Sequence, residues 1–125
     1  LRCSLYGTDD GKTVYLNIPS NRRLVIEFIA GNISTAGPAD NIGEAYIVVY
    51  NASKESETFF IDIATPRPWR HSGSAPGFIT IFNKNVLINA YSSGDEYDVA
   101  LYCNRTTREQ DVDYVVTLVG HLEPL

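Results

Sequence analysis

Apolar residues recur along this chain with a period of two. From Pro19 to Gly31, Leu24, Ile26, Phe28 and Ala30 fall on one side of an extended segment and Val25, Glu27 and Ile29 on the other, which is the alternation of a β-strand. Pro19 and Gly31 punctuate its two ends. Similar segments rich in Val, Ile, Tyr and Phe follow one another, and helical periodicity is nearly absent. The pattern predicts strands near Leu5 and at 13–18, 24–33, 45–50, 58–63, 78–82, 86–91, 99–103 and 114–122. Asp9-Asp10-Gly11, Ala36-Gly37-Pro38 and Ser93-Gly94-Asp95 supply turn residues, and Asn83-Lys84-Asn85 reads as a tight hairpin. One long segment, 65–77, is predicted to be loop. About eight or nine short strands predict a single all-β domain over 1–125, a two-sheet antiparallel β-sandwich or jelly roll.

Several strands are apolar on both sides. Val25 and Ile29, Ile47 and Val49, Ile79 and Ile81, and Val115 and Val119 all suggest a second apolar face. A sandwich buries only the inner face of each sheet, so the expectation is a homo-oligomer in which one sheet packs against neighbouring subunits. Coverage by the 65–77 segment is the alternative.

Composition narrows the class further. Hydrophobic residues at 44% and charged residues at 20% are those of a globular protein. A net charge of −5 argues against nucleic acid, whose phosphates demand clustered Lys and Arg. No apolar run is long enough for a membrane-spanning helix. The sequence opens at Leu1 and contains no Met, consistent with removal of a signal peptide. Cys3 and Cys103, the only cysteines, are expected to form a disulfide between strands lying side by side. Closing so long a loop contributes roughly 4 to 5 kcal/mol on the chain-entropy model. Asn32, Asn51 and Asn104 each begin an Asn-X-Ser/Thr sequon. Together these features lean toward a secreted or cell-surface setting.

Chemistry-bearing residues are few. His71 and His121 are the only histidines; neither sits in a nucleophile–base pattern, and His121 reads as a strand residue at a sheet edge. Nothing has the ligand spacing of a zinc site, and no cofactor is expected. Asp95, Glu96 and Asp98, like Glu109, Asp111 and Asp113, cluster at turns and read as solvated charge before calcium ligands. The best site candidate is the 65–77 segment, where Arg67, Trp69, Arg70 and His71 lie among Pro66, Pro68 and Pro76. An indole stacks on the apolar C–H face of a sugar while arginines hydrogen-bond its hydroxyls, and prolines limit the entropy lost on binding. A Trp plugging the end of the sandwich or an intersubunit contact is the competing reading.

With these strands in view, the chain resembles a family of small secreted bacterial proteins of unknown function. Pro19 and Arg23-Leu24-Val25-Ile26-Glu27-Phe28-Ile29-Ala30-Gly31 look like that family's proline and basic-Leu-Val-Ile-Glu-aromatic strand, and Val116-Thr117-Leu118-Val119-Gly120-His121-Leu122 is similar to its closing strand. The resemblance implies an exported all-β domain and carries across no catalytic residue or ligand. The paired cysteines and the Arg67 to His71 stretch are not features of that family. The expected function is therefore a non-catalytic extracellular binding module, multivalent for glycans through Trp69. A self-assembling subunit of a filament, shell or surface array is the alternative, and a small secreted enzyme the third.

Overall fold

The computed structural model describes residues 2–8, 12–37, 39, 42–71, 75–94, 98–105 and 112–125, with backbone alone at 2–8, 12–15, 71, 75 and 103–105. Nine strands are present among them: β1 (Arg2–Thr8), β2 (Lys12–Leu16), β3 (Arg22–Thr35), β4 (Ile42–Tyr50), β5 (Ser56–Ile61), β6 (Arg67–His71), β7 (Ala75–Tyr91), β8 (Val99–Arg105) and β9 (Val112–Pro124). They form two antiparallel sheets, in the orders β1-β9-β3-β7-β6 and β2-β8-β4-β5. Apart from the β4–β5 and β6–β7 hairpins, successive strands alternate between sheets. This is the jelly-roll arrangement, with β6 added beyond β7.

Alternation explains what is buried. On β4, Ala45, Ile47 and Val49 point inward and are almost fully buried, opposed by Val99 and Leu101 of β8. From the other sheet Leu24, Ile26, Phe82, Ile88, Val116 and Leu118 complete the same core.

The long central strand departs from simple alternation. Between Ile26 and Phe28 the register shifts against both neighbours, and relative to β9 Glu27 is one residue too many. Such a bulge moves every later residue to the opposite face. Ile29 and Ile33 therefore join Leu24 and Ile26 in the core, although a period of two from Leu24 puts them outside. Ile47 and Val49 are core as well, so neither they nor Ile29 belong to an outer apolar face. Val25, Ile79, Ile81, Val115 and Val119 do lie on the outer face of the five-stranded sheet. Ile81 is 50% and Val115 45% exposed, whereas Val25 and Ile79 are buried.

Two further expectations are corrected. The predicted hairpin at Asn83-Lys84-Asn85 is continuous β7, because the strand has a partner of similar length in β3 and Lys84 reaches across to Asp62 at 3.0 Å. The predicted loop at 65–77 contains β6, paired with β7 from Arg67 opposite Ile79 to His71 opposite Ala75. Pro68 is tolerated there because β6 is an edge strand.

Cys3 and Cys103 do not lie on adjacent strands. Cys3 is opposite Leu118 in one sheet and Cys103 opposite Ala45 in the other, so a bridge would have to run between sheets; both side chains lie outside the described residues.

Candidate functional site

β6 carries the predicted site residues and divides them. Alternation places Arg67 and Trp69 on the outer face of the five-stranded sheet, and Pro68 and Arg70 on the reverse. His71 ends the strand, its side chain outside the described residues. Trp69 is 50% exposed. Its cross-strand partner is Gly77, which is buried; a Cβ there would collide with the Thr35 carbonyl of β3. Glycine lets the strands approach, and the indole stands opposite a position with no side chain of its own. Half of the ring system remains open to water.

Charge on the same strand is left unbalanced. Among the described residues the ion pairs join Arg23 to Glu123, Lys84 to Asp62, and His121 to Glu27 and Glu123. Neither Arg67 nor Arg70 has a carboxylate partner there, and both are exposed. An open indole with an exposed guanidinium two residues away on the same face can stack against one ring of a ligand and hydrogen-bond its oxygens.

His121 sits on the outer face of β9, opposite Val25 of β3 and beyond Val119, where the described pairing with β1 ends, so among the described residues β9 is an edge at this level. Its Nδ1 meets Glu27 Oε1 at 2.7 Å and its Nε2 meets Glu123 Oε2 at 2.7 Å. Glu123 Oε1 also accepts from Arg23 Nε at 3.1 Å and from Arg23 Nη2. Hydrogen bonds to Glu123 and then Glu27 raise the imidazole above its ordinary 6.5, and hydrogen bonds from Arg23 and then His121 hold the Glu123 carboxyl below its usual value. Both ring nitrogens are engaged by carboxylates. Neither is left to take a proton from a substrate, and the cluster satisfies its own charges.

An aromatic row crosses the outer face of the other sheet, unforeseen in the sequence because cross-strand register is not written there. Tyr46 stacks on Tyr102 with centroids 5.1 Å apart and planes at 14°, and it contacts Phe60 at 5.5 Å and 53°. The tyrosines cover one another's faces, so the row strengthens the sheet, while Phe60 at its end stays 62% exposed. Asp98, grouped above with turn acids, is 3% exposed. Its Oδ2 accepts from Ile18 N at 2.6 Å and its Oδ1 from Ser93 N at 2.7 Å and Ser93 Oγ at 2.8 Å, so it anchors a loop. Among the described residues no group of three or more His, Cys, Asp or Glu could hold a metal ion.

Comparison with protein-family models, curated proteins and solved structures gave no significant match. Any functional reading therefore rests on these residues and their geometry.

Of the sequons, Asn51 uses its Oδ1 to accept from Ser53 N and Glu55 N in the β4–β5 turn. Asn32 lies mid-strand on β3 between Ile81 and Val115, and the Asn104 side chain lies outside the described residues. A glycan on Asn32 would close the outer face of the five-stranded sheet to a neighbouring subunit.

Proposed function

We propose that this protein is a non-catalytic extracellular binding module that engages glycans through Trp69 and Arg67 on the outer face of β6. The half-open indole, backed by Gly77 and flanked by an arginine with no carboxylate partner among the described residues, is the observation that carries the reading. Arg70 leaves the reverse side of β6 and contributes positive charge near the ligand without sharing the stacking face. A single shallow site of this kind binds weakly, and several copies in one assembly would multiply its affinity.

Trp69 is the only tryptophan, so a glycan array followed by fluorescence titration tests the proposal directly. A bound sugar shifts or quenches the emission, and Trp69→Ala abolishes retention on the array while leaving the fold intact. Retention unchanged in Trp69→Ala overturns the assignment. A second reading, a self-assembling subunit of a filament, shell or surface array, is favoured by Ile81 and Val115, half-exposed on the same outer face. There Trp69→Ala weakens assembly, and sugars leave the fluorescence unmoved.

A further inference from the structure

Among the described residues one side of the sandwich is open. β6 pairs only with the first part of β7, as far as Ile79. From there to Tyr91, β7 has β3 on one flank and, among the described residues, no strand on the other. Across the opening lies β5, the last strand of its own sheet. Between them is a cleft of about 260 Å³ whose apolar lining is Phe59, Phe60, Ile61, Val86, Leu87 and Ile88. It continues past Glu57, Asn89 and Tyr91 toward the β4–β5 turn. The other end is closed where Thr80 Oγ1 donates to Ala64 O at 2.7 Å and Lys84 pairs with Asp62.

We propose that this groove binds an extended polypeptide strand with apolar side chains at alternate positions, added to the free edge of β7 over residues 85–91. One wall is a row of main-chain N–H and C=O groups at strand spacing. The partner that meets such a row repeatedly is another extended backbone, whereas a sugar or lipid leaves most of it unmatched. The floor is the margin of the core: Phe59 and Val86 pack against it while only partly buried. Alternate side chains of an incoming strand would enter there as one more inner row, while Phe60 and Leu87, 62% and 76% exposed on the outer faces of their sheets, flank the opening.

Guarding by charge is absent from the strand itself, although β7 carries one extra residue against β3 between Asn85 and Ile88. Edges that must stay single carry charge, yet Asn85 to Tyr91 contains no charged residue; the nearest, Lys84, is neutralised by Asp62 at the closed end. The open stretch is roughly 23 Å long for seven extended residues, which suits a short segment. A second copy could not lay its whole β7 along this edge, since the 62–66 segment crosses it.

The probe is a fluorescein-labelled eight-residue peptide of alternating valine and threonine, titrated by anisotropy against the intact protein, with hydrogen exchange read at 85–91. Saturable binding is expected, with slowed exchange of those amides. A peptide N-methylated at alternate residues should not bind. Leu87→Lys, a change at a solvent-facing side chain that leaves the fold undisturbed, should weaken binding roughly tenfold or more. No saturable binding, or binding unaffected by N-methylation, overturns the proposal. Protection of 85–91 that rises with protein concentration in the absence of peptide also overturns it, in favour of edge-to-edge pairing between copies.

Discussion

Replacing Asp98 is predicted to be among the most damaging single changes in this domain. The carboxylate is buried and accepts three hydrogen bonds, one from Ile18 N and two from Ser93, while its own N–H donates to Leu16 O at 3.0 Å. It ties the segment after β2 to the loop between β7 and β8. Asp98→Ala strands two main-chain donors near the core. A hydrogen bond to a charged group contributes about 1.5 to 3 kcal/mol, but burying the charge costs part of that, and the three bonds are not additive; a net loss of about 3 to 5 kcal/mol follows. Asp98→Asn is nearly isosteric and separates charge from shape. Its amide nitrogen must face either Ile18 N or Ser93 N, donor against donor, so about 2 to 3 kcal/mol should still be lost. For a chain of this length the alanine variant should melt roughly 10 to 20 °C lower. Urea unfolding followed by Trp69 emission measures both variants, with the slope unchanged and the midpoint lowered. If both variants stay within about 0.5 kcal/mol of the parent, in the range of ordinary surface changes, the anchoring role assigned to Asp98 is wrong.

Other perturbations give sharp readouts. His121 is raised in the folded state, so its stabilising contribution is complete below the unfolded value near 6.5 and is lost as pH rises through the folded value. An NMR titration should place the imidazole above 6.5, and Glu123→Gln should bring it back toward that value. Glu123, lowered, contributes above its unfolded value, and that contribution fades as pH falls. Gly120→Ala puts a Cβ into the Val25 carbonyl of β3, so backbone must move; a loss of more than about 3 kcal/mol is expected in the same urea assay.

The sequence revealed the fold more fully than the site. In β4 the period of two is legible but its direction is not: Ile47 and Val49, read from the sequence as an outer face, point inward with Ala45, because Tyr46, Val48 and Tyr50 make the opposite side apolar as well. The same rule fails after Glu27, where a bulge set by pairing with β9 changes the phase; nothing local in Ile26-Glu27-Phe28 announces it. Asn83-Lys84-Asn85 carries turn residues, yet the partner strand and the distant Asp62 hold it extended. Tertiary pairing overrides local preference there. Trp69 and its arginines were legible as unusual neighbours in the sequence. Their division between two faces was not, since it follows from β6 being a strand, and Pro68 inside it argues locally for a loop.

The order of strands governs how the molecule can come into being. β3, the longest strand but one, takes its places beside β7 and β9, and β1 pairs only with β9. On a ribosome the centre of the five-stranded sheet is made early and waits, apolar and unpaired, for strands not yet synthesised. β3, β7 and β6 can pair beforehand, but the β1 side of the sheet cannot close before Val112–Pro124 emerges, so folding should be slow and completed late. During that wait, chaperone holding matters most to the segment that is best buried in the finished domain.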